Sequence, residues 1–250
     1  VAESAEPLES RTLLAAAFSQ FVDPNPNPGN QFGADLVLLR TGNIVITAPG
    51  DDAGGTDAGA VYLFSGSTGT LISTLTGSAN GDQIGNGGVT SLATGHFVVS
   101  STNWDNGTAS DAGAVTFGNG FTGASGVVSA ANSLVGTTSN DSVGSDGVTA
   151  LTTGNYVVGS SNWDDRAVTD VGAVTFGSGF TGVTGAVSSQ NSLVGSRVSD
   201  RVGSGGVTAL STGNYVVRSV DWDNRTLTDA GAVTFGSGTA GIQGSRRRGQ

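Results

Sequence analysis

One segment recurs at a fixed interval and constrains every structural expectation for this chain. Trp104, Trp163 and Trp222 stand 59 residues apart, as do Phe117, Phe176 and Phe235. Gly147 to Phe176 reads GVTALTTGNYVVGSSNWDDRAVTDVGAVTF, and Gly206 to Phe235 repeats it closely. Gly88 to Phe117 is a further copy, and Ala34 to Phe64 a more diverged first one. Such self-similarity marks repeat architectures, in which each unit buries its apolar face against its neighbours. The copies are expected at about 30–81, 82–140, 141–199 and 200–240. Residues 1–17 then form an N-terminal arm or export-related segment, 18–240 the repeat domain, and 241–250 a basic tail.

Each copy reads as short strands. In the third, Val148 to Leu151 is a first strand, followed by a Thr153-Gly154-Asn155 turn whose Gly and Asn tolerate positive φ. Tyr156 to Ser160 is a second strand, rich in residues that suit a pleated surface, and Gly172 to Phe176 a third. A weaker fourth lies around Ser192 to Val194. Four short antiparallel strands in about 59 residues is the size of one propeller blade. The expected fold is therefore all-β, a β-propeller of four four-stranded blades, with a β-solenoid in second place. The fourth copy lacks the NSLVG strand seen at Asn132 and Asn191, whereas Ser19 to Gly33 aligns with Asn132 to Gly144. Residues near Phe18 to Val22 are thus expected to supply the outer strand of the last blade and close a ring, the alternative being a fragment of a larger array of repeats.

Composition excludes several functions. The chain has no cysteine, which removes disulfides, thiolate metal sites and cysteine nucleophiles. Its one histidine, His96, aligns with the turn residues Asn43, Asn155 and Asn214, and reads as a turn residue. Every basic residue is an arginine, and beyond Glu9 all acidity comes from aspartate. A net charge of −10 argues against nucleic acid as a partner. No apolar run is long enough to span a bilayer. Aspartates repeated identically offer no pair of contrasting environments for acid–base work, so no enzyme is expected.

The first copy carries a family resemblance. Phe32-Gly33, Thr47-Ala48-Pro49-Gly50 and Gly59-Ala60-Val61-Tyr62 resemble the FG-GAP repeats of integrin-alpha-like propellers. Ile84-Gly85, Val143-Gly144 and Val202-Gly203 hold the FG position in later copies. Those copies also look like repeats of large bacterial surface adhesins of the filamentous type. The resemblance implies a propeller with a role in adhesion. It departs at the calcium loop, because the connection between the first two strands is only Thr-Gly-Asn or Thr-Gly-His, too short to wrap calcium. Pro7 to Ala16, PLESRTLLAA, resembles a short box near the N-termini of exported proteins in some budding bacteria.

Two sets of residues are site candidates. Asp51, Asp52 and Asp57 keep the same offsets as Asp105, Asn106 and Asp111, Asp164, Asp165 and Asp170, and Asp223, Asn224 and Asp229. Three oxygen side chains within seven residues suit a hard cation such as calcium, but they equally suit turns. Trp104, Trp163 and Trp222, each preceding an Asp, offer the stacking face and polar neighbours of a sugar site, or they fill contacts between repeats. The expected function is a non-catalytic, secreted or cell-surface bacterial module for binding or adhesion. Its partner is a protein or glycan surface ligand. A multivalent lectin using the Trp-Asp loops and a structural spacer in a larger surface protein are the alternatives.

Overall fold

The Val-, Tyr- and Thr-rich stretches of each copy are strands in the computed structural model, which describes residues 20–245. The first repeat contains β1 (Leu36–Leu38), β2 (Ile44–Ala48), β3 (Ala60–Phe64) and β4 (Leu71–Thr76). The second contains β5 (Val89–Ser91), β6 (Phe97–Ser101), β7 (Ala114–Gly118), β8 (Gly126–Val127) and β9 (Ser133–Val135). The third contains β10 (Val148–Ala150), β11 (Tyr156–Ser160), β12 (Ala173–Gly177), β13 (Gly185–Ala186) and β14 (Ser192–Val194). The fourth contains β15 (Gly206–Ala209), β16 (Tyr215–Ser219), β17 (Ala232–Gly236) and β18 (Gly244–Ser245). The fold is all-β. Three sheets have five strands, and the last has three among the described residues.

The fifth strand of each larger sheet comes from the following repeat. β8 pairs in parallel with β4, β13 with β9, and β18 with β14. Successive sheets are thereby stitched together by backbone hydrogen bonds. The donated strand sits in an excursion between the third and fourth strands that the first repeat lacks. Gly59 and Gly113 are accordingly 54 residues apart, whereas Gly113 and Gly172 are 59 apart. In the first repeat β3 and β4 form a direct antiparallel hairpin. Gly244 and Ser245 therefore belong to the repeat architecture, which corrects the expectation that residues from 241 onward form a tail. Arg246 to Arg248 lie outside the described residues.

The period of two along each strand decides which core a side chain enters. In β6, Phe97 and Val99 pack with residues of the first repeat, while Val98 packs with those of the third. In β11, Tyr156 and Val158 face the second repeat and Val157 the fourth. The middle strands are buried on both sides for this reason, unlike the half-exposed first strands. Each apolar core thus lies between two sheets. One further cluster covers the free face of the first sheet, where Phe21 and Phe32 pack on Ile46, Tyr62 and Phe64.

Residues Gln20 to Val22 form no strand, and Phe21 meets Phe64 edge-on at 5.4 Å between ring centroids. Phe18 and Ser19, the rest of the expected closing strand, lie outside the described residues, as does the Pro7–Ala16 segment. Among the described residues no pairing joins the sheets into a ring.

Candidate functional site

The Asp-rich loop runs between the second and third strands of each repeat. Its first Asp closes the loop on itself: Asp105 Oδ1 accepts from the Asp111 N–H at 2.8 Å, and Asp164 Oδ1 from Asp170 at 2.7 Å. Asp223 Oδ1 accepts likewise from Asp229. In the first repeat the acceptor moves one residue, to Asp52 Oδ1, with Asp57 as donor. Asp57, Asp111, Asp170 and Asp229 all hold left-handed backbone near φ +51°, which Asp tolerates better than most residues. Asn106, Asp165 and Asn224 start tight hairpins that pair with Ala109, Val168 and Leu227. No three carboxylates or histidines converge in a group able to hold a metal ion among the described residues.

The tryptophans sit inside the joints. Trp104 packs with Leu75 of the first repeat and Val128 and Val135 of its own, and Trp163 packs with Leu134 and Val187. Both are 4% exposed, and their indole nitrogens are enclosed without a hydrogen-bond partner. Trp222 is half-buried against the core between the third and fourth repeats. An enclosed ring offers no face for a sugar to stack on. Trp163→Ala is expected to lower stability by about 3–5 kcal/mol through the cavity it leaves. Thermal melting checks this, and a melting temperature equal to the parent's would remove Trp163 from the load of the joint.

A cleft of about 290 Å³ opens beside Trp163 and is lined by Asp164, Asp165, Arg166, Ser188 and Gln190 among others. Arg166 stands at φ +60°, where the second repeat has Gly107. His96 is the turn residue expected: its Nδ1 accepts from the Gly120 N–H at 2.9 Å, as Asn155 Oδ1 does from Gly179 at 3.0 Å. The turns also hold the neighbouring repeat, since Thr41 and Asn43 both donate to the Gly120 carbonyl and Thr153 and Asn155 to that of Gly238. The loop tips beyond these glycines carry Phe121 and Phe180, which are 63% and 66% exposed.

Three buried carboxylates escaped the sequence reading. Asp82, Asp141 and Asp200 are fully buried at the repeat interval, each two residues before the Ile-Gly or Val-Gly pair. Asp141 Oδ2 accepts from the N–H groups of Thr137 and Thr138 at 2.8 Å, and its Oδ1 from that of Asp164 at 3.0 Å. Asp82 and Asp200 repeat the pattern on their own loops. Burial pushes the Asp141 carboxyl up from the usual aspartate range, against the lowering effect of its three N–H donors. Spacing alone could have flagged these residues. Their enclosure depends on the next repeat and is not visible locally.

Against known families, the chain matches the model described as "Repeat of unknown function (DUF5650)" at residues 38–86, 91–145, 150–204 and 209–245. The first three matches each end one residue past Gly85, Gly144 or Gly203, so the matched unit includes the glycine that docks on its third strand. No curated protein matches the chain.

Proposed function

The chain belongs to the DUF5650 repeat family, and on that footing we propose that it is a non-catalytic binding or adhesion module of the bacterial cell surface or secreted space. The observation that carries the reading is the pair of exposed aromatic tips, Phe121 and Phe180, one repeat apart. Their loops are anchored at the base by the turn residues His96 and Asn155, so the rings are presented on rigid supports. Exposed aromatics on preorganised loops are efficient contact residues, and repetition multiplies weak contacts into avidity. The finer architecture belongs to the same proposal. The sheets act as FG-GAP-like propeller blades with the N-terminal segment closing the ring, and Phe21, although it lies in no strand, supports this by packing against the first repeat as Leu134 packs against the third.

The double variant Phe121→Ala/Phe180→Ala is expected to bind cell surfaces about tenfold or more weakly, with an unchanged melting temperature. Flow cytometry of labelled protein on bacterial and host cells reads this directly. Undiminished binding by the double variant sinks the assignment of the tips. A second reading, a carbohydrate-binding lectin, draws on the polar cleft beside Trp163, where Ser188, Gln190, Asp165 and Arg166 offer both donors and acceptors.

A further inference from the structure

Three backbone hydrogen bonds close every joint between repeats. In the last of them the N–H groups of Ser199, Arg201 and Val202 donate to the carbonyls of Thr169, Asp170 and Val171. Asn140, Ser142 and Val143 donate likewise to Ser110, Asp111 and Ala112, and Gly81, Gln83 and Ile84 to Thr56, Asp57 and Ala58, all at 2.9 to 3.1 Å. Each joint is thus a hook of N–H groups seated on a notch of carbonyls. Left-handed residues shape both parts: Asp170 and Gly172 in the notch at φ +52° and +72°, Arg201 and Gly203 in the hook at +40° and +95°.

The fourth repeat carries a notch with no hook. Asp229 and Gly231 stand at φ +51° and +70°, yet the carbonyls of Thr228, Asp229 and Ala230 accept no hydrogen bond among the described residues. Where a backbone nitrogen lies 2.1 to 2.3 Å from the Cβ position of Gly59, Gly113 and Gly172, the nearest described atom to that of Gly231 is 3.4 Å away. Ala230 is exposed, whereas Ala58, Ala112 and Val171 are fully buried. The N-terminal segment carries a hook with no notch. Gly29, Gln31 and Gly33 stand at φ +89°, +56° and +92°, at the offsets of Ser199, Arg201 and Gly203. The N–H groups of Gly29, Gln31 and Phe32 donate no hydrogen bond among the described residues.

The apolar faces divide in the same way. Leu36 and Leu38 of β1 are 57% and 66% exposed, while Val148 and Ala150, at the same register in their sheet, pack in the core shared with the second repeat. At the other end Phe235 is 61% exposed, although its counterpart Phe176 packs in the core shared with the fourth repeat. Both half-cores are open at once, so they do not cover each other within one chain.

We propose that a second copy of this chain seats its N-terminal hook and the Leu36 and Leu38 face on the Thr228 to Gly231 notch and the Phe235 face of the first, repeating the internal joint between molecules. The contact is heterologous, one copy's head on the other's tail, and both parts already hold the conformation of the formed joint, which lowers the cost of ordering them. The proposal rests on the reading of the sheets as blades of a ring: the N-terminal segment that closes the ring is the second copy's. Two chains bring twice the four sheets of one, at the upper end of the propeller range of about four to eight blades.

Sedimentation velocity of the whole protein over about 1–100 μM tests the proposal, and a concentration-dependent dimer is the expected result. Leu38→Arg on the head and Phe235→Arg on the tail are each expected to weaken association about tenfold or more. Both side chains are exposed, so each variant is expected to keep the parent's circular dichroism. Mixed in equal amounts, the two variants retain one sound head and one sound tail between them, and form a mixed pair that neither forms alone. A monomer at every concentration overturns the proposal, whether the chain's own residues or another protein cover the notch. So does a dimer that survives either single variant, since that contact is head-to-head or tail-to-tail, and so does a mixture that stays monomeric. Assemblies that grow beyond the dimer uphold the docking and sink the two-chain ring instead.

Discussion

Gly172→Ala is expected to lower stability by about 3 kcal/mol or more and the melting temperature by roughly 6–12 °C. Gly172 stands immediately before the third strand of its repeat at φ +72°, where a Cβ costs about 1–2 kcal/mol. The second cost is contact. A Cβ there would stand 2.3 Å from the backbone nitrogen of Val202, and backbone cannot swing aside as a side chain can. That nitrogen is already committed, donating to the Val171 carbonyl at 3.0 Å. Gly59 and Gly113 stand in the same relation to Ile84 and Val143. The Gly-Ala-Val motif and the following Ile-Gly or Val-Gly pair are thus the two halves of one backbone joint. Gly147→Ala separates the two costs, because Gly147 has φ +86° with open space where its Cβ would be. Chemical denaturation of both variants is the measurement. Equal losses would mean that the close approach to Val202 contributes nothing.

What the sequence discloses and what it hides follow from the range of the interactions involved. Strands that alternate or run apolar are local in origin, and Tyr156–Ser160 and Ser192–Val194 lie where periodicity puts them. The third strand is displaced by one residue, to Ala173–Gly177. Gly172 is held in the joint, and Gly177 pairs across to Tyr156, whose ring lies where a Cβ would be. The two-residue donated strands carry no period at all, and their trace in the sequence is the change of interval between the first copy and the others. The tryptophans and Asp loops were visible as repeated residues, but repetition is equally what a joint and a binding site would produce. Only burial separates the two, and burial here is made by residues of the adjoining repeat. Asp82, Asp141 and Asp200 were missed for the same reason. An aspartate among serines, threonines and glycines reads as loop surface until the neighbouring repeat is laid over it.

Asp141→Ala is expected to cost about 3–5 kcal/mol, more than an ordinary aspartate because nothing replaces its three accepted hydrogen bonds. The N–H groups of Thr137 and Thr138 belong to the tail of the second repeat, and that of Asp164 to the Asp loop of the third. One carboxylate therefore ties two repeats together, and its removal leaves unpaired donors on both sides of the joint. Hydrogen exchange should locate the damage there, with protection lost at Thr137, Thr138 and Asp164 before the centres of the sheets. Asn at this position keeps one acceptor oxygen but turns an amide donor toward a backbone donor, so Asp141→Asn should fall between the parent and the alanine variant. The acid response has a definite sign. Burial raises the folded-state pKa of Asp141 above the ordinary value of 3.8, so the folded protein takes up this proton more readily than the unfolded chain does. The group's ionisation then weighs against folding above the raised pKa, and that cost is relieved as pH falls through it toward the unfolded value. Carbon NMR of the Asp141 carboxyl should give a titration midpoint above 3.8. A midpoint below it would mean that the three N–H donors outweigh burial, and the sign of the pH effect would reverse.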